Sequence, residues 1–346
     1  MRATIFGISG CTNGGKTTIS TRIIEELKKK DLEVAHICQD DYFKEKELVE
    51  QVSHNDFPEV LFYHYDNIEA VNHKTMREFI LEVAMKTDVI ILEGNMICEL
   101  EKVVELMDHI IFITMDKDTC EKRRNNRIYD PADLPGYFDQ IVWPAYLEHY
   151  ETAKKLEAQG TSISFQNGTD PLDEIVRNVL KMLEKKLFCL IRIQFSEITV
   201  EKLEKFVILP NCGAVSTFIG TTRDNFKGKK VLSLEYECYE SMAYKELRRI
   251  CWKTKEKFPD VERIAVVHRI GKVEVGESSI AISTSSPHRR EAIEATHFLI
   301  DTIKSCVPVF KKEVYEDGSK SWKENCEFED FKKELNNKID LAQEEI

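Results

Sequence analysis

Residues 181–195 read KMLEKKLFCLIRIQF. A lysine-rich stretch of helical character passes at once into an apolar, β-branched run, with no Pro, Gly or Ser spacer between them. Whether this is a helix-to-strand connection inside one domain or a seam between two depends on what each flank encodes. A length of 346 residues predicts two domains at roughly 100–200 residues each. Charge divides at the same place, with a formal net charge of −11 through Leu187 and −1 beyond it. Without the last twenty residues the second part carries +3, and a mildly basic domain after an acidic one suggests a separate, anionic ligand. With 42% hydrophobic and 32% charged residues, the chain can bury real cores and stay in solution. Its apolar runs are far shorter than the ~18 residues of a membrane span, and Arg2 precedes too few apolar residues for a signal peptide. Ten cysteines without a C-x-x-C suit neither zinc nor a disulfide framework. A cytosolic protein with reduced thiols is expected, with neither membrane nor nucleic acid as a partner.

On the N-terminal side, the apolar run RATIFGISG ends in glycine and is followed by CTNGGKTT. ISTRIIEELKKK then has helical spacing through Ile19, Ile23, Ile24 and Leu27. Gly10-x4-Gly15-Lys16-Thr17 is therefore a phosphate-binding loop in its required strand–loop–helix setting. Gly10, Gly14 and Gly15 let backbone N–H groups close on phosphate oxygens, and the helix N-terminus adds partial positive charge. Lys16 is expected at the β- and γ-phosphates, and Thr17 on Mg²⁺. The strands EVAHICQDDYF and DVIILEGNM end in acids, and parallel α/β sheets bring such ends to the ligand crevice. Asp40 is thus a candidate general base for a hydroxyl acceptor, and Glu93 a candidate Mg²⁺ ligand through water. CEKRRNNRIYDP supplies Lys122, Arg123, Arg124 and Arg127, with Arg123 and Arg127 on one face if the helix continues. Cations over a transferring phosphoryl group are what a kinase needs, although a solvated basic face has the same look.

The stretches GISGCTNGGKTT, QDDYFK, HYDNIEA, ILEGN and RRNNRIYDPADLPGYFDQIVWPAYLEHY resemble nicotinamide riboside kinases over about residues 1–185. The resemblance implies an α/β P-loop kinase domain with a parallel sheet, spanning 1–186, that uses ATP and Mg²⁺. It implies that Asp40 takes the proton of the ribose 5′-hydroxyl and joins Thr17 and Glu93 around the metal. It places Asp41, Tyr42, Phe43, Tyr65, Asp66 and Arg124 on the riboside. Asn13, Thr18, Arg123, Arg127, Asn167, Gly168 and Thr169 fall on ATP. A kinase acting on uridine or another nucleoside is the alternative.

Beyond the seam the rhythm changes. CLIRIQF, GAVSTFIGTTR, KVLSLEYECY, RIAVVHRIG and SIAISTSS read as strands, and SMAYKELRRICWKTKEKF and HRREAIEATHFLIDTIKSC as helices. This is an α+β pattern without a second phosphate loop. Cations stand at element ends. Arg223 follows a strand, His288 and Arg289 open a helix, Lys304 lies near that helix's end, and Lys311 and Lys312 share a strand with Glu313. A helix N-terminus with His and Arg can hold an anion, and a lysine among lysines can serve as nucleophile or base.

GAVSTFIGTTRDNFKGKKVLSLEYECY, HRIGKVEVGESSIAISTSSPHRREA and IDTIKSCVPVFKKEVYEDGSKSWKEN resemble the catalytic (large) subunits of molybdopterin synthase over about 188–328, which implies a domain of that type at 187–328. The resemblance implies sulfur transfer into cyclic pyranopterin monophosphate, with the sulfur arriving as a C-terminal thiocarboxylate on a separate small subunit. It implies a large-subunit homodimer within a heterotetramer. Carried across by motif, His288, Arg289, Lys304, Lys311, Lys312 and Glu313 line the substrate pocket, Arg223 helps bind the anion, and Lys304 and Lys311 are catalytic. The alternative is a non-catalytic dimerisation or scaffold module. The opening stretch then reads as a fusion seam, and residues 329–346 as an acidic helix or frayed tail.

Overall fold

The computed structural model describes residues 3–128 and 133–323. The stretch at 329–346, read above as a helix or tail, lies outside them. The chain divides between Leu187 and Phe188 into two compact units.

The first unit runs β1 (Thr4–Gly10), α1 (Lys16–Lys28), β2 (Val34–Cys38), β3 (Gln51–Ser53), β4 (Leu61–Tyr63), α2 (His73–Val83), β5 (Val89–Glu93), α3 (Glu101–Val104), β6 (His109–Thr114), α4 (Lys117–Asn125), α5 (Trp143–Ala158), β7 (Ile163–Asn167) and α6 (Leu172–Lys186). Five strands form a parallel sheet in the order β2-β5-β1-β6-β7. β3 and β4 make a separate antiparallel pair. The continuous apolar runs explain the parallel sheet, because strands covered on both faces need no polar alternation. All seven residues of β1 and all five of β5 are buried. α1 buries Ile19, Ile23 and Leu27, which recur every four residues along one face. With β1 at the centre, its carboxyl end and the following loop open beside the carboxyl ends of β5 and β6.

Two local readings change. EVAHICQDDYF is not one strand. It stops at Cys38, and Gln39–Tyr42 winds a 3-10 turn. The cause is Gln39, whose buried amide oxygen accepts the Met96 N–H at 3.0 Å and turns the chain inward. The helix carrying the arginines ends at Asn125, so Arg127 lies past it and does not share a helical face with Arg123.

The second unit contains β8 (Cys189–Gln194), α7 (Val200–Val207), β9 (Ala214–Thr221), β10 (Asn225–Phe226), β11 (Lys229–Cys238), α8 (Glu240–Lys257), β12 (Arg263–Arg269), β13 (Gly271–Glu274), β14 (Ser278–Ser286), α9 (Arg289–Cys306), β15 (Val309–Tyr315) and β16 (Lys320–Lys323). One sheet has the order β8-β12-β14-β9, with only the β8–β12 pair parallel. The other is antiparallel, in the order β10-β11-β15-β16, with β13 also on β11. α9 packs on β9 and β14 through Ala292, Ala295, Thr296, Leu299, Ile300 and Ile303. The two alanines let the helix approach closely, and the Thr284 hydroxyl donates to the Ala292 carbonyl at 2.8 Å. Leu299 is wholly buried, which contributes about 1.5–3 kcal/mol. α7 and β13 were not anticipated. They span eight and four residues, too short for periodicity to stand out.

Candidate functional site

The phosphate loop follows from its glycines. Gly10 turns at φ +121°, and a Cβ there would lie 2.1 Å from the Ile113 carbonyl oxygen, so only glycine fits. Gly15 caps α1 at φ +87°. The Gly14 N–H donates to the Cys11 carbonyl and the Cys11 N–H to Ile113, closing the loop against β6. Lys16 Nζ folds back on the Gly10 and Cys11 carbonyls at 3.2 and 2.9 Å. Desolvation lowers the Lys16 pKa from its ordinary value, against the pull of nearby acids including Asp40 and Glu93.

Glu93 is only 2% exposed, and its two oxygens are held separately. Thr17 Oγ1 donates to Oε1 at 2.9 Å, Ser20 Oγ donates to Oε2 at 2.7 Å, and His36 Nε2 stands 3.5 Å from Oε1. Burial opposes its charge, but bonds from His36, Ser20 and Thr17 outweigh that and pull the carboxyl to about 2. Ser20 was missed by the sequence reading, although its i, i+3 spacing from Thr17 puts both hydroxyls on one helical face. A hydroxyl beside an ionised carboxylate is a hard-oxygen donor set suited to Mg²⁺. Together with the glycine cradle and Lys16, it fits a nucleoside triphosphate with its metal.

Asp40 sits on the turn after β2 and is exposed. Partial desolvation raises its pKa, while Lys16 opposes the rise. Asp41 is exposed beside it. Phe43 and Tyr65 meet edge to face, with centroids 5.4 Å apart, and Tyr42 leans on Phe79 at 6.3 Å. Asp66 is reached by Asn95 Nδ2 at 3.5 Å. The turn after β2 thus meets the segment after β4 through Phe43 and Tyr65, and Asp66 meets Asn95 past β5, whereas Tyr42 lies against α2.

The arginines diverge. Arg124, expected on the riboside, is buried. It forks onto Asp133 at 2.5 and 3.1 Å and donates to Thr12 Oγ1 at 3.0 Å, so it braces the phosphate loop. Arg127 reaches Asn13 Oδ1 at 3.5 Å, and Arg123 is half-buried on α4. Thr18 is exposed on the first turn of α1. Asn167 accepts from the Thr169 N–H and hydroxyl at 3.0 and 2.9 Å, and buried Gly168 lies between them. Asn167 and Thr169 line a cavity of 480 Å³ with Thr114, Trp143, Tyr146 and Tyr150.

In the second unit the strand pleat sorts the lysines. Lys311, Glu313 and Tyr315 share one face of β15, and Lys312 takes the other. Lys311 pairs with Tyr236, whose ring meets His268 edge-on at 5.2 Å. Burial pushes His268 down to about 4. Glu313 is buried and accepts the Tyr315 hydroxyl at 2.5 Å. Lys312 instead faces Glu237 at 3.5 Å and Glu235 at 3.9 Å, with its ammonium 4.2 Å from the Trp322 ring centroid. The two adjacent lysines therefore do not form one cluster.

His288 caps α9 and Arg289 begins it, both exposed, whereas Lys304 is exposed in its last turn. Fifteen residues of helix separate Arg289 from Lys304 by about 22 Å. Within one chain, these groups do not share a pocket. Arg223 stands exposed two residues past β9. Among the described residues, no helix is long and apolar enough to cross a membrane.

A family model described as "MoaE protein" matches residues 193–306. A molybdopterin synthase catalytic subunit from Taeniopygia guttata is 51% identical over 137 residues, which is 40% of this chain and 88% of that protein. The Homo sapiens molybdopterin synthase catalytic subunit is 47% identical over 158 residues, covering 46% and 83%. Among solved structures, a gluconokinase from Sinorhizobium meliloti 1021 aligns with a TM-score of 0.34 and 14% identity, covering 53% of this chain and 91% of that one. The matched residues include Arg223, His288, Arg289 and Lys304, and through this domain the chain belongs to the family of molybdopterin synthase catalytic subunits.

Proposed function

We propose that the chain joins two enzymes: an ATP-dependent riboside kinase in the first unit, acting on nicotinamide riboside, and a molybdopterin synthase catalytic domain in the second. The observation carrying the kinase is the convergence of Lys16, Thr17 and the doubly bonded Glu93 beside Asp40 at the carboxyl edge of a parallel sheet. Lys16 binds the β- and γ-phosphates by leaving its two carbonyls. Thr17 and Glu93 are the residues that would hold Mg²⁺, which would supply positive charge to offset that of the transferring phosphoryl group. Asp40, with its raised pKa, accepts the 5′-hydroxyl proton. Asp41, Tyr42, Tyr65 and Asp66 supply negative charge and π faces, which suit a pyridinium cation better than a neutral uracil. The Tyr42 pKa is raised by burial and by Asp41, so its hydroxyl stays protonated as a donor.

The second reading rests on family membership. Sulfur arrives on the small subunit's thiocarboxylate, and the lysines hold and activate the pyranopterin. Because α9 separates Arg289 from Lys304, the proposed homodimer has a specific consequence. His288 and Arg289 of one copy complete the site of Lys304 and Lys311 in the other.

The test is one preparation assayed twice. It should phosphorylate nicotinamide riboside with ATP and Mg²⁺ in preference to uridine. Given a thiocarboxylated small subunit, it should convert cyclic pyranopterin monophosphate to molybdopterin. A preference for uridine would replace the acceptor. No conversion with a competent small subunit would leave the second unit as a scaffold.

A further inference from the structure

Cys11 lies inside the phosphate loop and Cys120 on α4, 109 residues apart in sequence. Their sulfurs stand 2.8 Å apart, both wholly buried. Each thiol also lies near the same acceptor, the Thr12 carbonyl, at 3.1 Å from Cys11 and 3.3 Å from Cys120. Buried cysteines commonly act as small hydrophobes. This pair differs in that it joins the loop that holds phosphate to the helix that carries Arg123 and Arg124.

We propose that Cys11 and Cys120 are a redox modification site, at which a peroxide forms a disulfide that ties α4 to the phosphate loop and switches the kinase off. The inhibitory consequence rests on the kinase reading; the disulfide itself does not. The environment assigns the order of events. Cys120 is the more acidic thiol, stabilised as thiolate by the bond from Cys11 and by Arg124, Lys16 and Arg123, whereas Cys11 is pushed up by that bond and by burial. The Cys120 thiolate attacks one peroxide oxygen. The O–O bond breaks, leaving a sulfenic acid and a hydroxide that is protonated to water. The Cys11 sulfur then attacks the sulfenic sulfur. An S–S bond forms, the S–O bond breaks, and the departing hydroxide leaves as water with the Cys11 proton. Two thiols and one peroxide give one disulfide and two waters, with the two electrons passing from sulfur to oxygen. Burial selects a small oxidant over a bulky disulfide such as oxidised glutathione.

Phosphoryl transfer needs the phosphate loop, which contains Cys11, and the adjoining α4 with Arg123 held in position around the phosphates. A covalent tie at Cys11 fixes that helix to the loop. Displacement of positioned groups by ~1 Å can cost up to ~10²-fold in rate, so a loss of ~10-fold or more is expected.

The full-length chain is treated with equimolar hydrogen peroxide, alkylated and digested, and linked peptides are mapped by mass. In parallel, binding of a fluorescent ATP analogue and riboside phosphorylation are measured before oxidation, after it, and after dithiothreitol. The expected result is a Cys11–Cys120 cross-link, a loss of phosphorylation reversed by dithiothreitol, and resistance to that loss in Cys120→Ser. Oxidation without this cross-link overturns the site. A cross-link that leaves both nucleotide binding and phosphorylation unchanged overturns the switch, as does equal inactivation of Cys120→Ser. A reduced enzyme that binds the analogue but phosphorylates no riboside counts against the kinase reading alone, since mapping and analogue binding still report on the disulfide.

Discussion

Replacing Glu93 with Gln tests the corner proposed to hold Mg²⁺ through stability and needs no substrate. Glu93 is 2% exposed and accepts hydrogen bonds from Thr17 and Ser20 at 2.9 and 2.7 Å. Its carboxyl is held at about 2 against an ordinary 4.5. That difference corresponds to about 3 kcal/mol favouring the folded first unit whenever the carboxylate is ionised in both states. A depressed folded pKa gives stability that is fully present above 4.5 and is lost as pH falls from there towards 2. Wild type should therefore lose on the order of 2 kcal/mol between pH 5 and pH 3 from this group, about 1.4 kcal/mol per pH unit below 4.5. Glu93→Gln lacks this contribution, so its decline over the same window should be shallower by that amount, although it starts lower at pH 7. Trp143 is the tryptophan of the first unit, so its fluorescence in a Trp252→Phe/Trp322→Phe background reports that unit alone during urea unfolding. Parallel declines for the wild type and the Glu93→Gln variant between pH 5 and pH 3 would refute the assignment of Glu93 as the ionised anchor of this corner.

Three further outcomes are expected. Asp40→Asn should lower riboside phosphorylation by ~10²-fold or more with urea unfolding unchanged, and near wild-type turnover would remove Asp40 as the base. Lys304→Ala should abolish molybdopterin formation while still binding the small subunit, and Arg289→Ala should weaken pyranopterin binding; mixing and reassembling the two variants should restore part of the activity, because a mixed dimer retains one intact site. No recovery on mixing would place both residues in a single-chain site. Chains ending at Leu187 or beginning at Phe188 should each fold and keep their own activity, because each unit has its own core; insoluble halves would reveal a dependence between them.

What the sequence determined is what local spacing encodes. Gly10, Gly15, Lys16 and Thr17 specify the phosphate loop because turn geometry and a helix start are written within eight residues. The apolar runs of β1, β5 and β6 specify a buried parallel sheet, and the change after Leu187 to closely spaced strands interrupted by two helices marks a second core. The pleat already separates Lys311 from Lys312, but which face meets Tyr236 and which meets Glu235 depends on the strand paired alongside. Likewise Arg124 looked like a substrate arginine until Asp133 and Thr12 claimed its guanidinium. Glu93 bonds to hydroxyls more than seventy residues away, and Cys11 to a sulfur 109 residues away. Such pairings arise from strand order and helix packing, which no periodicity of 2 or 3.6 residues records, so only the tertiary structure could decide them.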